Sequence, residues 1–382
     1  MKILITTDLF TTATNGVVTS VKNLREELQS KGHDVRILTL SSNRHSHKED
    51  GIYYIRSMSI GHIYPDVRMP TSYRHRLIKE LIEWKPDVIH SQCEFFTFQY
   101  AQRIAKLTGA PLVHTYHTLY EQYMPYLISN QRVGNKIVRV VSKKRLKPVD
   151  QIIVPTHKVE NTLQGYGLEN PISVVPSGIS LEQHRRRIDP TVRKEMRRSL
   201  GIGDTQPVLI NLGRLGTEKN LDELVRFFAS ALQRHESLLF LVVGHGPARE
   251  SLEKLAGELG VSDHVIFTGM VPPALVQEYY QLGDIFVSAS TSETQGLTYV
   301  EAAANGLPLL CRQDLCLKDI LLRGENGYDY TNEEEFLTCL DTMLADPQWR
   351  KEAGKRSEEL SASFSKDAFG DAVEDVYESV VQ

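Results

Sequence analysis

Apolar residues recur along this chain in two alternating rhythms. Short runs rich in Val, Ile and Leu predict strands: MKILITTD (1–8), DVRILTL (34–40), DVIH (87–90), PLVHTYH (111–117), DQIIVPT (150–156) and PISVVPSGI (171–179). Between them lie stretches with apolar positions three and four apart. VKNLREELQSKGHDV (21–35) predicts an amphipathic helix with Gly32 near its end, and Pro86 closes a second helix that begins at LIKEL. Strands interleaved with helices predict a parallel sheet covered on both faces.

The rhythm breaks over residues 182–200, EQHRRRIDPTVRKEMRRSL, a polar and charged stretch with no strand signal. It then restarts. PVLINLGRL (207–215), LLFLVVGHG (238–246), HVIFTG (264–269), IFVSAS (285–290) and LPLLC (307–311) predict strands, separated by helical patterns such as LDELVRFFASAL (221–232) and ARESLEKLAGELG (248–260). The tail reads as a terminal helix. The expected fold class is α/β, with two doubly wound, Rossmann-like domains facing a cleft and divided just before residue 182. Ligands of such sheets sit beyond the carboxyl ends of the strands, which is where chemistry is to be sought.

Composition narrows the class. At 382 residues, 41% hydrophobic and 24% charged, the chain is long enough for two cores and too apolar to be disordered. Mean hydropathy is −0.28, and no apolar run approaches the roughly 18 residues of a membrane span. The amino terminus reads as a strand rather than a signal peptide. Cys93, Cys311, Cys316 and Cys339 form neither a dense disulfide pattern nor a CxxC pair, so reduced thiols in a cytoplasmic protein are expected. The net charge of −4 hides an asymmetry. Residues 1–180 hold 23 Lys and Arg against 15 Asp and Glu, while the remainder is acidic. A basic half points to an anionic partner, against the alternative of solvated faces.

Two segments carry candidate chemistry. In STSETQGLTYVEAAANGLPLL (290–310), Gly296 permits a tight turn into a helix starting near Leu297 or Thr298. Backbone amides and the helix dipole there would suit a diphosphate. Glu301, one turn inside, would accept from ribose hydroxyls, and Glu293, before the turn, from a sugar ring. A loop followed by a capped surface helix is the alternative. In NLGRLGTEKNLDEL (211–224), Arg214 and Lys219 follow a strand, with Gly213 and Gly216 keeping the loop slim. Two cations there would neutralise a leaving diphosphate, unless the loop is merely solvated. No Asp-x-Asp occurs, nor any His/Asp/Glu cluster with metal spacing, so no obligatory metal or tightly bound cofactor is expected.

GRLGTEKN, GHGP, FTGMVPPALVQEYYQLGDIFVSAS and the Glu293–Glu301 pair occur in the order and spacing of retaining glycosyltransferase family 4, which this chain resembles over nearly its whole length. TNGVVTSVKNL is similar to that family's first glycine loop, and VVPSGIS to its interdomain strand end. The resemblance implies the GT-B fold, with an acceptor domain over 1–181, a nucleotide-sugar donor domain over 182–365, and a helix over 366–382 crossing back to the first. It implies that Arg214 and Lys219 bind the donor diphosphate and that Glu293 contacts the transferred sugar. Amides at Gly296 and Leu297 would meet the phosphate, Glu301 the ribose, and the backbone at Met270 the base. Gly16 would let the first-domain loop approach the phosphate, with Asn15 replacing the frequent first glycine. His117, ending HTYH, matches the family's active-site histidine beside the sugar. By position alone, a histidine after a strand is more often structural, and only the resemblance reverses that reading. The catalytic set implied is therefore His117, Glu293, Arg214 and Lys219, with retention by same-face attack.

The acceptor side has its own pattern. Residues 131–147 contain seven Lys and Arg and no acid: Arg132, Lys136, Arg139, Lys143 and Lys147 at helical spacing, with Lys144 and Arg145 beside them. Val133, Ile137 and Val140 keep the same period. Just upstream, Tyr116, Tyr120, Tyr123 and Tyr126 with Met124 and Leu127 form an amphipathic aromatic cluster. Together they predict an interfacial helix on anionic lipid, the alternative being a helix packed on its own domain. No nucleic-acid-binding module accompanies the stripe. Within the family, HTYHTLYEQY resembles the bacterial enzymes that glucosylate diacylglycerol. This implies glucose transfer from UDP-glucose to 1,2-diacylglycerol, giving a monoglycosyl diacylglycerol at the inner face of the cell membrane. A phosphatidylinositol, polysaccharide or small soluble acceptor is the alternative within enzymes, and a nucleotide-sugar sensor the alternative outside them. The motifs leave oligomeric state open.

Overall fold

A computed structural model of the protein describes residues 1–10, 16–43, 45–60, 68–122 and 130–381. The chain forms two compact units, Met1–Gly178 with Lys366–Gln382, and Ile179–Ser365.

In the first unit the elements run β1 (Lys2–Thr6), α1 (Gly16–Ser30), β2 (Asp34–Ser41), β3 (His47–Glu49), β4 (Ile52–Ser59), β5 (Arg68–Pro70), α2 (Arg76–Trp84), β6 (Val88–Ser91), α3 (Phe96–Thr108), β7 (Leu112–Thr115), α4 (Gln131–Leu146), β8 (Gln151–Val154), α5 (His157–Gly165) and β9 (Ile172–Val174). Helix α1 begins five residues before the periodic stretch, and β9 keeps only three residues of PISVVPSGI. The sheet order is β3-β4-β2-β1-β6-β7-β8-β9, with β5 paired to β4. The pairs from β4 through β9 are parallel, and β3 and β5 are antiparallel flanks. Strand β4 was not anticipated, because IYYIRSMS alternates too weakly to stand out; its inward residues Tyr53 and Ile55 are nonetheless fully covered.

Strand order reverses at β1, which lies between β2 and β6. The carboxyl ends of β1 and β6 are therefore the usual ligand position in such a sheet. Helix α14 (Lys366–Val380) belongs to this unit, burying Phe369, Val373, Val376 and Tyr377 with Ile3, Ile5, Val21 and Leu24. The close approach of α14 to α1 requires Gly370, where a Cβ would lie 2.3 Å from Glu27 Cγ.

The second unit runs α6 (Leu181–Arg185), α7 (Pro190–Ser199), β10 (Val208–Leu212), α8 (Leu221–Leu232), β11 (Leu239–Val243), α9 (Arg249–Glu258), β12 (Val265–Gly269), α10 (Val276–Tyr280), β13 (Ile285–Ser288), α11 (Leu297–Ala304), β14 (Leu309–Arg312), β15 (Gly327–Tyr330), α12 (Glu333–Ala345) and α13 (Pro347–Ser361). Its parallel sheet has the order β12-β11-β10-β13-β14-β15, so the reversal falls between β10 and β13. The charged stretch 182–200 is not a bare linker. It forms α6 and α7, and Arg197, fully covered, donates to the carbonyls of Gly203, Gln206 and Leu282. A polar pattern conceals this arginine because its buried charge is matched to backbone oxygens rather than to an acid.

Candidate active site

The loops that leave β10 and β13 hold the residues expected to bind a donor. After β10 the backbone bends at Gly213 (φ +152°), and Lys219 closes a short 3₁₀ turn, Thr217–Lys219. Asn220, in the left-handed region, donates from Nδ2 to Ala289 O at 3.2 Å and so ties this loop to the one after β13. Lys219 Nζ reaches Glu293 Oε1 at 2.5 Å. Arg214 Nη1 donates to Glu218 Oε1 at 3.1 Å, and its own side chain stays half exposed while that of Glu218 is covered. Gly216 makes room for that carboxylate, because a Cβ there would lie 2.2 Å from Glu218 Oε1.

The β11 end packs tightly under this loop. Gly244 (φ +139°) allows it, since a Cβ would stand 1.9 Å from Gly213 O. Leu215 N donates to His245 O at 3.1 Å, fixing the two loops to each other. Met270, just past β12, is 80% exposed.

Gly296 takes φ +76° as the residue before α11, the turn anticipated from sequence. Helix α11 then starts at the reversal point, its third residue, Tyr299, donating from N to Gly296 O at 2.9 Å. Its loop is braced from below: the hydroxyl of buried Tyr299 lies 3.1 Å from Ser288 Oγ and 3.3 Å from Ser290 O. Glu301 is partly covered and accepts from the hydroxyl of Tyr280 at 2.8 Å. Burial pushes its carboxyl up to about 7, and the Tyr280 bond offsets only part of that. Lys219, Glu293, Gly296, Leu297 and Glu301 are thus gathered around one strand-order reversal, with Arg214 at its edge.

The first unit carries a second polar group at its own reversal. Past β7, His117 Nε2 lies 2.6 Å from Gln92 Oε1, and Gln92 Nε2 lies 3.0 and 3.2 Å from the ring nitrogens of buried His90. Burial holds His117 down at about 4, so its ring is neutral near pH 7. Asp8, after β1, accepts from the amides of Phe96 and Thr97 at 3.2 and 2.7 Å and caps α3. Glu94 accepts from Tyr120 and lies 3.3 Å from His114 Nε2. Gly16 is the first residue of α1, while Asn15 lies outside the described residues.

Gln92, Glu94, Asp8, Glu218 and Tyr280 were not singled out from sequence. The signal for Gln92 was present, as a polar residue directly after the buried strand DVIHS next to the reversal.

Helix α4 corrects part of the expected membrane surface. Tyr116 is fully covered, its hydroxyl 3.3 Å from Ser142 Oγ, so it anchors α4 to the unit. Tyr120 spends its hydroxyl on Glu94 and stacks edge-on against Tyr116, so it is an inner strut as well. Arg145 turns back over the Phe98 ring, 6.0 Å from its centroid. Tyr123, Met124, Tyr126 and Leu127 lie outside the described residues. The packing face of α4 is Gly134, Val138, Ser142 and Leu146, one residue per turn. Arg132, Lys136, Arg139, Lys143, Lys144 and Lys147 are exposed, and so are Val133, Ile137, Val140 and Val141, from 43% to 59%. At 100° per residue, the apolar four and the basic stripe occupy neighbouring exposed sectors.

Residues 14–183 match the family model described as Glycosyltransferase Family 4, and residues 192–360 that described as Glycosyl transferases group 1. The chain is 32% identical over 380 residues to the alpha-monoglucosyldiacylglycerol synthase of Streptococcus pneumoniae, covering 99% of this chain and 85% of that one. It is 28% identical over 384 residues to the protein of the same name from Acholeplasma laidlawii, covering 99% and 96%. Among solved structures it is similar to sucrose-phosphate synthase from Thermosynechococcus elongatus, with a TM-score of 0.79, 21% identity and coverage of 99% and 98%. It is also similar to HepE of Anabaena in complex with UDP-glucose, with a TM-score of 0.77, 15% identity and coverage of 99% and 100%. These structural likenesses show the fold, which is GT-B.

Proposed function

The chain belongs to glycosyltransferase family 4, and we propose that it moves glucose, with retention, from UDP-glucose to the hydroxyl of 1,2-diacylglycerol at the inner face of the cell membrane. The donor half of this reading rests on the cluster at the β10/β13 reversal. Arg214 and Lys219 supply fixed positive charge, and the first-turn amides of α11 supply oriented dipoles. Charge that develops on a departing diphosphate is stabilised by such groups, usually the largest catalytic contribution. The bond between the anomeric carbon and the phosphate oxygen breaks as the acceptor oxygen bonds to that carbon on the same face. The acceptor's proton passes to the departing phosphate oxygen. Glu293 and Glu301 orient the sugar and the ribose.

The acceptor half rests on one observation: α4 leaves Val133, Ile137, Val140 and Val141 exposed beside a row of cations. An apolar sector flanked by Lys and Arg suits the boundary between acyl chains and anionic headgroups. The names of the two relatives agree with a diacylglycerol acceptor. Among the described residues no helix is long and apolar enough to cross a membrane. Nucleotide sugars screened with and without diacylglycerol vesicles, with the product read by mass, test the reading. A glucosyl diacylglycerol formed only with UDP-glucose and vesicles is the expected result. Equal turnover on a water-soluble sugar without lipid overturns it.

A further inference from the structure

His117 is held from behind by a polar chain that no donor or acceptor contact explains. Gln92 Oε1 lies 2.6 Å from His117 Nε2, and Gln92 Nε2 faces the His90 ring. His90 is itself pinned on both sides, by Tyr377 Oη at 2.6 Å from Nδ1 and by Thr115 Oγ1 at 2.7 Å from Nε2. His90 is fully covered and its desolvated ring stays neutral. The hydroxyls of Tyr377 and Thr115 take the two His90 ring nitrogens, one accepting and one donating, and the amide nitrogen of Gln92 lies against the same ring, 3.0 and 3.2 Å from those nitrogens. That orientation turns Oε1 toward His117. An amide oxygen only accepts, so Nε2 of His117 must carry the proton and Nδ1 must be the bare nitrogen.

We propose that Gln92 is a positioning residue: it fixes His117 in the Nε2–H form, so that Nδ1 is presented as a hydrogen-bond acceptor for a substrate hydroxyl. Tyr377, from α14, and Thr115 hold the His90 ring against which Gln92 packs. This rests on the reading that His117 belongs to the active site. The other titratable groups facing His117 are Glu94, which favours its charged form, and His114, which opposes it.

The test uses the full chain with Gln92→Glu and Gln92→Met. A carboxylate in place of the amide favours the imidazolium, so Nδ1 gains a proton and becomes a donor at mildly acidic pH. The turnover of Gln92→Glu relative to wild type, at saturating donor, is expected to fall about tenfold between pH 8 and pH 6. Gln92→Met, which removes the bond at similar size, is expected to lower kcat about tenfold with KM and thermal midpoint little changed. Nitrogen-15 histidine spectra of the ligand-free chain, with His117 assigned by His117→Gln, read the tautomer without any assay. Nε2–H is expected in wild type and a doubly protonated ring in Gln92→Glu at pH 6. An Nδ1–H ring in wild type, or a relative turnover of Gln92→Glu that ignores pH, overturns the proposal. His117→Ala separates the two claims: full activity in that variant removes His117 from the active site, whereas the tautomer measurement stands by itself.

Discussion

Lys219 Nζ lies 2.5 Å from Glu293 Oε1, an ion pair that joins the loop after β10 to the loop after β13. Both side chains are only partly exposed, so each satisfies the other while no donor is bound. In the proposed reaction, a diphosphate arriving at Lys219 would replace a carboxylate with a stronger anion and release Glu293 toward the sugar. Lys219→Ala and Arg214→Ala are each expected to cost about 3 kcal/mol of transition-state stabilisation, read from kcat/KM. Glu293→Gln is expected to depress turnover yet tighten binding of UDP alone, by about threefold, because the competing ion pair with Lys219 is gone. Calorimetric titration with UDP checks the second point, and weaker binding by the Gln variant would contradict it.

Glu301 links pH to stability. Its carboxyl is raised by burial to about 7, from 4.5, so the folded chain keeps a proton that the unfolded chain loses. Stability therefore falls as pH rises from about 4.5 to 7, by about 3 kcal/mol in full, and levels off above that. Glu301→Gln keeps an acceptor for Tyr280 without the ionisation. In the ligand-free protein its thermal midpoint is expected to exceed that of wild type at pH 8 and to match it at pH 5. Donor affinity should move the other way, weaker in the variant by about tenfold, because hydroxyls bond more strongly to a charged acceptor. Scanning fluorimetry at the two pH values and donor KM supply the readouts.

The exposed face of α4 separates two contributions to lipid binding. Lys136, Lys143 and Lys144 point outward, whereas Arg145 is spent on Phe98. Replacing those three lysines with Ser is expected to weaken binding to anionic vesicles by up to about 3 kcal/mol, less at high salt. Replacing Val140 and Val141 with Ser is expected to weaken binding at every salt concentration and on neutral lipid too. Neither set touches the packing face of Gly134, Val138, Ser142 and Leu146, so thermal midpoints should hold. Co-sedimentation at two salt concentrations, on neutral and anionic vesicles, decides. A wild type indifferent to both lipid charge and salt would make the stripe a solvated face.

Gly296→Ala tests the turn before α11. The left-handed backbone penalises any side chain, and an added Cβ would lie 2.4 Å from the Tyr299 ring. Tyr299 cannot yield without breaking its bonds beneath the β13 loop. The expected cost is about 2–3 kcal/mol in urea denaturation, with a loss of UDP affinity, since the first-turn amides move with the helix. Unchanged affinity would separate the turn from donor binding.

Strand–helix alternation was legible because fully buried parallel strands read as continuous Val/Ile/Leu runs, and the central strands of both sheets follow from them, whereas β3, β4, β5 and β15 do not. The loop cluster at the β10/β13 reversal was legible for a related reason: Gly296 and Gly213 mark backbone that only glycine adopts easily, and charged residues beside such glycines stand out. Other features were hidden by chemistry that leaves no periodic trace. Arg197 sits in a charged run and is solvated by carbonyls, which no side-chain pattern encodes. The tyrosines of HTYHTLYEQY alternate like a surface cluster, yet Tyr116 and Tyr120 turn inward because Ser142 and Glu94 await their hydroxyls from distant segments. Gln92 joins His117 to His90 through contacts of up to 25 residues' separation, which spacing along the chain does not display.

Helix α14 closes the core of the first unit, with Tyr377 bonded to His90 across 287 residues. During synthesis this has a consequence of order. The ribosome delivers β1, α1, β2 and β6 early and the whole second unit next, and residues 366–380 arrive only afterwards. Until then Ile3, Ile5, Val21 and Leu24 face solvent on one side, while the second unit already holds every strand of its own sheet. The unit made first is therefore the unit finished last, and its uncovered apolar face is the natural place for a chaperone to hold the nascent chain.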